Sequence, residues 1–205
     1  MNCCIVTIGD ELVDGFSIDT NSSWISKQLF EYKKIIIKDK ISIRDNPSII
    51  EKTFNYLSNE KYNYVFVTGG LGPTHDDVTK LAILNLLGSK FLFDEEYYLH
   101  LIQRMKSRKI KISKKHKSQA QCIKGTTIFP NPLGSARGIR FVFGKTVFYI
   151  FPGVPNEMKK MFCNEVLEKE FNNYLKEKKI VTINTFGIYE TAISDLLSSN
   201  IKIKK

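Results

Sequence analysis

The segment 68–79 holds the residue types and spacing in this chain that best fit a chemical role. Three glycines and a Pro-Thr pair lead into two acids: Gly69, Gly70, Gly72, Pro73, Thr74, Asp76 and Asp77. Glycine lets a backbone pass close to a ligand, and free N–H groups at a helix start favour an anion such as phosphate. Two carboxylates repel phosphate unless a cation lies between them, which indicates a divalent metal ion or a proton-transfer role. The alternative is a strand-to-helix turn with acidic capping residues.

The flanking sequence places this segment between a strand and a helix. Residues 62–67 are rich in β-branched and aromatic side chains, which is typical of a buried strand. Residues 78–86 have an amphipathic helical spacing that stops at Gly88. The turn therefore lies at the carboxyl end of a strand, where open α/β sheets bind their ligands.

Two further acidic turns follow predicted strands. A strand over 3–8 leads into Asp10 and Glu11, and a strand over 35–43 ends just before Asp45. We expect these acids at the same edge of the sheet; a helix cap is the alternative role for Asp45. Three polar residues precede a helix predicted over 22–33: Asp19, Thr20 and Asn21. Capping explains one of these three and not all of them.

The later part of the chain contains two rigid turns rich in proline and glycine, over 129–138 and 152–158. Between them a hairpin is predicted over 139–151, with Gly144 and Lys145 as its turn. Residues 109–117 are predicted as an exposed basic connection, 118–122 as a helical turn and 180–186 as a strand. Strands and helices alternate, which predicts an α/β fold with three layers and a mostly parallel mixed sheet. The predicted boundaries are a core over 1–175 and a short appendage over 176–205.

The composition indicates a globular protein of the cytoplasm. Of the 205 residues 42% are apolar and 25% charged, no apolar run reaches the length of a membrane span, and the N-terminus lacks the pattern of a secretory signal. Four cysteines without CxxC spacing favour reduced thiols. The net charge of +10 lies largely in 104–117. This stretch lacks interleaved aromatic residues, which favours a solvated basic face over a nucleic-acid-binding surface.

Five motifs in register resemble those of CinA-type competence/damage-inducible proteins. They span nearly the whole chain and are Gly9-Asp10-Glu11-Leu12 with Gly15 and Asp19-Thr20-Asn21; Thr68-Gly69-Gly70-Leu71-Gly72-Pro73-Thr74 with Asp76, Asp77 and Thr79; Asn131-Pro132-Leu133-Gly134; Pro152-Gly153-Val154-Pro155-Asn156-Glu157-Met158; and Gly187-Ile188-Tyr189-Glu190. The resemblance implies the molybdopterin-binding fold shared with MogA- and MoaB-type enzymes, followed by a small, truncated α+β segment.

The resemblance also implies a function and a site. MogA-type enzymes adenylylate molybdopterin with a magnesium ion, whereas CinA-type cores are associated with metal-dependent hydrolysis of ADP-ribose to AMP and ribose 5-phosphate. The functional aspartates of the relatives match Asp45 and Asp77, which are the expected catalytic residues. Expected ligands of a divalent metal are Asp77, Asp10 and Glu11. Expected phosphate or pterin contacts are Thr68, Gly69, Gly70, Gly72, Pro73, Thr74, Asn131, Gly134, Ser135, Gly153, Val154 and Pro155.

Three hypotheses therefore stand at this stage. The first is a metal-dependent pyrophosphatase acting on ADP-ribose or a related nucleotide diphosphate. The second is a molybdopterin-binding or adenylylating protein, and the third a basic nucleic-acid-binding module. The family resemblance further implies a homo-oligomer, either a dimer or a trimer.

The sequence also departs from the family pattern. Arg137 replaces the proline that usually follows the Asn-Pro-x-Gly motif, and it is expected to bind phosphate or to face solvent. The family's C-terminal amidohydrolase domain has no counterpart in these residues, so the resemblance gives no ground for assigning nicotinamide-mononucleotide deamidation.

Overall fold

A computed structural model describes residues 1–72, 78–107, 109, 114–172 and 184–200. In it, strands and helices alternate over most of the chain. The strands are β1 Cys3–Ile8, β2 Ile37–Ile43, β3 Tyr64–Thr68, β4 Phe91–Phe93, β5 Gln121–Ile123, β6 Thr127–Phe129, β7 Gly138–Phe143 and β8 Thr146–Phe151. The helices are α1 Asp10–Val13, α2 Thr20–Lys33, α3 Pro47–Asn59, α4 Thr79–Leu86, α5 Glu95–Ser107, α6 Lys114–Gln119, α7 Pro155–Phe162 and α8 Glu190–Asn200, and a π-helix over Cys163–Glu170 continues α7.

The main sheet has six strands in the order β2-β1-β3-β8-β7-β6. The pairs β2–β1, β1–β3 and β3–β8 are parallel, and β8–β7 and β7–β6 are antiparallel. The register aligns Ile8 with Ile43, and Thr7 with Thr68, which in turn aligns with Phe151. The four parallel strands therefore end at one edge of the sheet, and the turns that follow them meet there.

Helices cover both faces of this sheet, which confirms the three-layer α/β/α fold with a mostly parallel mixed sheet. On one face, Phe54 of α3 and Ile83 of α4 pack against Val6 and Val67. On the other face, Leu29 of α2 and Phe162 of α7 pack with other buried side chains. Side chains alternate between the faces of a strand, so one continuous apolar strand such as β1 serves both layers.

Residues 91–123 form an excursion outside the main sheet, and the structure differs from the sequence prediction in part of it, over residues 109–122. The helical turn expected over 118–122 is wrong in its second half, because Cys122 and Ile123 belong to β5 and pair antiparallel with Leu92 and Phe91 of β4. Part of the expected basic connection is helix α6. Ile123 is buried, and this burial favours the strand over a helical turn on the surface.

The described residues of the C-terminal part contain the helix α8. Of the strand predicted over 180–186, residues 180–183 lie outside the described residues and 184–186 form no strand. All four cysteines are free thiols, and burial raises the pKa of Cys3 and of Cys4 to about 12. No described helix combines the length and apolar character that a membrane span requires.

We predict that Phe54→Ala lowers the free energy of unfolding by about 3–5 kcal/mol, because it leaves a cavity in a fully buried cluster. Tyr56→Ala, on the exposed side of the same helix, is the matched control and changes it by about 0.5 kcal/mol or less. Urea unfolding followed by circular dichroism measures both. Equal losses in the two variants would contradict the assigned core.

Candidate functional site

The turns that follow the four parallel strands enclose a central cavity of about 400 Å³. We call it the central cavity. Its lining residues come from the turns after β1, β2, β3 and β8, from the loop between β6 and β7, and from the start of α7: Ile8, Glu11, Asp45, Gly69, Gly70, Leu71, Gly72, Ser135, Ala136, Pro152, Gly153, Val154 and Glu157. The three turns that the sequence predicts at this edge of the sheet, after β1, β2 and β3, thus all contribute residues to the lining of one cavity.

The glycine turn after β3 has a backbone that only glycine accommodates. Gly69 has a φ of 113°, and a Cβ there would overlap the carbonyl oxygen of Ile8. Gly70 has a φ of 67°, and a Cβ there would overlap the hydroxyl of Thr79. The Gly69 N–H donates to the carbonyl of Phe151 at 3.0 Å, which ties this turn to the turn after β8. Close backbone approach, and not local flexibility, therefore explains these glycines.

Asp45 is held in the cavity wall by reciprocal contacts with Asp10. The Asp10 N–H donates to Asp45 Oδ2 at 3.1 Å, and the Asp45 N–H donates to Asp10 Oδ1 at 3.3 Å. Arg44 lies 3.5 Å from Asp10 Oδ1 and is also paired with Asp14, where its hydrogen bonds hold the pKa of that carboxyl below its ordinary value. Asp45 and Glu11 line the cavity, whereas Asp10 positions Asp45 from outside the lining.

The loop between β6 and β7 is shaped by Asn131. Its Oδ1 accepts hydrogen bonds from the N–H groups of Leu133 at 3.0 Å and Gly134 at 2.8 Å. Its Nδ2 donates to the Ala136 carbonyl at 2.9 Å and to Glu157 Oε2 at 2.7 Å. Asn131 is buried, so it forms the frame of the loop and holds the Glu157 carboxylate at the cavity.

Glu157 is a cavity residue that the sequence analysis left out of the predicted site. It lies in the first turn of α7, and it lines the central cavity. A signal for it was present, since an acid in the first helical turn after a strand end resembles the arrangement at Asp10 and Glu11. Its contact with Asn131, 26 residues earlier, follows from tertiary structure alone.

Helix α5 braces the same loop from outside the cavity. Arg104 donates to the carbonyls of Gly134 at 2.9 Å and Leu133 at 2.7 Å, and the Tyr97 hydroxyl donates to the Ser135 carbonyl at 2.9 Å. The excursion over residues 91–123 thus holds a wall of the cavity. This contact also gives the arginine that begins the basic segment a structural role.

Arg137 is buried, so the expectation that it could face solvent is wrong. Its side chain is only 10% exposed. The guanidinium forms an ion pair with Asp94 at 2.5 Å and stacks over the Tyr97 ring at 3.7 Å. A planar, delocalised cation suits such a stacked and paired site. Arg137, which replaces the proline of the family, therefore anchors the loop through its ion pair with Asp94 and its stacking on Tyr97 of α5.

The predicted site residues occupy four kinds of position. Those that line the central cavity are Glu11, Asp45, Gly69, Gly70, Gly72, Ser135, Gly153 and Val154. Thr68 and Pro155 line a depression beside it, and Gly134 lines another on the α5 side. Asn131 and Asp10 support the walls as described above. Pro73, Thr74 and Asp77 lie outside the described residues, as do His75 and Asp76.

The cavity lining fits a hard divalent cation. Among the described residues no group of three or more His, Cys, Asp or Glu side chains could hold a metal by itself. Mg²⁺ commonly binds through one or two carboxylates together with substrate phosphates and water, so a complete protein cage is not required. Asp45 and Glu11 supply oxygen ligands of this type.

The fold and the site together define a molybdopterin-binding-type α/β domain. The family model described as "Probable molybdopterin binding domain" matches residues 4–171. The chain belongs to this family. A solved structure of similar fold is that of MoaB, a molybdopterin biosynthesis enzyme of Thermus thermophilus; it has a TM-score of 0.55 and 18% identity and covers 84% of this chain and 95% of its own.

Within this family the chain is similar to CinA-like proteins. A CinA-like protein of Flavobacterium psychrophilum is 36% identical over 201 residues, which are 97% of this chain and 48% of the relative. The chain thus spans about half the length of the curated relatives it matches. The crystal structure of CinA from Thermoplasma acidophilum, whose function is described as unknown, has a TM-score of 0.69 at 25% identity and covers 84% of this chain and 96% of its own.

We predict that Gly69→Ala destabilises the fold more than Gly88→Ala does. Both positions have positive φ, which costs an alanine about 1–2 kcal/mol, but Gly88 has open space around its would-be Cβ. The overlap with the Ile8 carbonyl should add at least about 1 kcal/mol for Gly69→Ala. Chemical unfolding of both variants measures the difference. A loss at Gly69 no greater than that at Gly88 would refute the close packing of β1 against the glycine turn.

We predict a pH-dependent contribution from Asp94. The N–H of Tyr97 and, to a lesser degree, Arg137 hold the pKa of Asp94 below its ordinary value of 3.8. A carboxyl whose pKa falls on folding stabilises the native state above its unfolded pKa and loses that contribution as the pH falls through its folded pKa. Asp94→Asn should therefore be less stable than the wild type at neutral pH and approach it in acid.

Thermal or urea unfolding between neutral pH and pH 3 tests this dependence. Glu96→Gln, an exposed change two residues away in the first turn of α5, is the control and should show no comparable convergence. A constant difference between wild type and Asp94→Asn over the whole range would mean that the charge of Asp94 is not what stabilises the native state.

Proposed function

We propose that this domain is a metal-dependent pyrophosphatase that hydrolyses ADP-ribose or a related nucleotide diphosphate. The observation that carries the proposal is the central cavity, in which a glycine turn of close backbone approach faces carboxylates from other turns. The membership in the molybdopterin-binding family is consistent with a phosphate ligand at this site. The resemblance to CinA-type cores supports ADP-ribose as the substrate.

The charges around the cavity support a requirement for a metal. The lining contains Glu11, Asp45 and Glu157, and none of the described lining residues is Lys, Arg or His. A diphosphate placed among carboxylates would be repelled unless a cation lay between them. Asp45 and Glu11, together with the diphosphate, would hold that cation. A bound divalent ion would neutralise phosphate charge and lower the pKa of a coordinated water.

The residues of this chain would then act by positioning and by proton transfer. The backbone of Gly70 and Gly72 would hold the diphosphate, and Gly69, whose N–H is bonded to the Phe151 carbonyl, would let it approach closely, which places the anhydride phosphorus in the cavity. Water would form the new P–O bond as the bridging P–O bond breaks. The Asp45 carboxylate would accept the water proton, and the two products would be AMP and ribose 5-phosphate.

The second candidate function is molybdopterin binding or adenylylation. It is favoured by the description of the family model and by the MoaB fold. ADP-ribose hydrolysis and molybdopterin adenylylation both take place at a nucleotide phosphoanhydride, so the central cavity could serve either reaction. Calorimetric titration with ADP-ribose and with molybdopterin, each with magnesium present, separates the two functions. The ligand that gives no heat loses its support.

We predict that Asp45→Asn lowers the metal-dependent hydrolysis of ADP-ribose at least about 100-fold, the lower end of what one acid–base group contributes. The asparagine Oδ1 can still accept the Asp10 N–H, so the fold should persist. Asp195→Asn, an exposed change on α8, is the control with unchanged rate. AMP release measured by chromatography reports the rate. Wild-type protein that leaves ADP-ribose intact with every divalent cation would refute the proposed function.

A further inference from the structure

A second depression, of about 230 Å³, opens beside the central cavity; we call it the side pocket. The two share Ile8, Glu11 and Gly153 in their linings, so a ligand in one can extend into the other. The remaining lining of the side pocket comes from α1 and the turn after it, the start of α2, the end of β3 and the start of α7: Leu12, Ser17, Ile18, Asp19, Thr20, Asn21, Thr68 and Pro155.

The side pocket has the chemistry of a site for hydroxyl groups. Its polar groups are the hydroxyls of Ser17, Thr20 and Thr68, an asparagine amide and two carboxylates. Among the described lining residues there is no Lys, Arg or His, so a second phosphate would need a further cation, whereas a neutral sugar would not. Carboxylates and amide carbonyls accept hydrogen bonds, and a sugar offers several hydroxyl donors.

The side-chain oxygen of Asn21 is a buried hydrogen-bond acceptor that lacks a donor in the part of the chain that the structure describes, and this is an independent indication of a ligand. Its side chain is 9% exposed, and Nδ2 donates to the Gly153 carbonyl at 2.8 Å. Its Oδ1 is buried, and among the described residues it has no hydrogen-bond partner. Asp19 already caps α2 by accepting from the Ser22 N–H at 2.9 Å, so Asn21 is not needed for that role. A buried acceptor without a donor is unfavourable, and a donor from a ligand would relieve it.

The depression on the α5 side fits a sugar less well. It is also about 230 Å³, but three of its seven described lining residues, Leu101, Met105 and Leu133, are apolar. The polar groups there include the Arg104 guanidinium, which already donates to backbone carbonyls of the loop. A hydroxyl-rich group would find fewer acceptors in that depression than in the side pocket.

We propose that the side pocket binds the ribose of the sugar-phosphate end of the substrate, with Asn21 accepting a hydrogen bond from a sugar hydroxyl. This inference rests on the proposed function, because the phosphate of the same group would lie in the central cavity. It extends that function by assigning a direction to the substrate. A pterin would offer ring N–H and amino donors to this pocket in place of a set of sugar hydroxyls.

The test compares two phosphate monoesters in the presence of magnesium. Ribose 5-phosphate carries the sugar, and ethyl phosphate carries the same phosphate group without hydroxyls. Isothermal titration of the wild type should give a dissociation constant at least about tenfold lower for ribose 5-phosphate, as expected for two or more hydrogen bonds. Equal affinities would overturn the side-pocket assignment and leave the phosphate site standing. Binding of neither ester would overturn the phosphate site and the assignment with it.

Variants of the lining test whether the preference for ribose 5-phosphate over ethyl phosphate arises in the side pocket. Asn21→Ala should reduce the tenfold preference, measured as the ratio of the two dissociation constants, to about twofold or less, because loss of the Asn21–Gly153 hydrogen bond acts on both esters alike. The double variant Ser17→Ala/Thr20→Val, which leaves the Asn21–Gly153 contact in place, should narrow the preference as well and serves if Asn21→Ala does not fold. Ser23→Ala, an exposed hydroxyl change on α2 outside the lining, is the control. A full preference retained in the folded pocket variants would contradict the proposal.

Discussion

The parallel register of four strands is the constraint on which the site depends. Strands β2, β1, β3 and β8 run in the same direction and end at the same edge of the sheet, so the turns that follow them lie side by side. Two backbone hydrogen bonds extend this alignment past the strand ends. The Gly9 N–H donates to the Ile43 carbonyl and the Gly69 N–H to the Phe151 carbonyl, both at 3.0 Å. Each bond joins the first residue of one turn to the last residue of a neighbouring strand.

This arrangement gathers acidic side chains at one edge of a strongly basic protein. Asp10, Asp14 and Asp45 lie close to one another, and Arg44 pairs with the first two of them. The arginine offsets their repulsion but stands outside the cavity lining. The carboxylates that do line the cavity face the space that an anionic ligand and its cation would occupy, and the net charge of +10 would attract such a ligand over a longer range.

The elements that could be predicted from the sequence are those whose signal lies in a short local pattern of residues. The apolar run of β1, the helix start at Pro47 and the glycine turn after β3 each carry a signal within a few residues, and their common edge follows from the parallel topology. Strands β4 and β5 of the excursion over 91–123 carry no such signal, because they have three residues each and, among the described residues, pair only with each other. The same limit applies to Arg137, whose partner Asp94 lies 43 residues away.

Within the site, the predicted residues are those with a local sequence signal, and the missed residues are those defined by contacts with distant parts of the chain. Asp45 and the glycines stood out by their position after strands, whereas Glu157 and Asn21 are assigned by contacts with distant residues, Asn131 and Gly153. Asn21 shows this most clearly, since its place beside Asp19 and Thr20 is typical of a helix cap. Only the structure separates the cap from the residue whose amide holds a turn 132 positions away.

Nuclear magnetic resonance tests the central claim, that the turns at this sheet edge form one ligand site, most directly. Titration of ¹⁵N-labelled protein with ADP-ribose and magnesium should shift the backbone amide signals of Gly69, Gly70, Ser135 and Gly153 together, with one common dissociation constant. Shifts confined to the basic segment over 104–117, with the glycine turn unaffected, would contradict it.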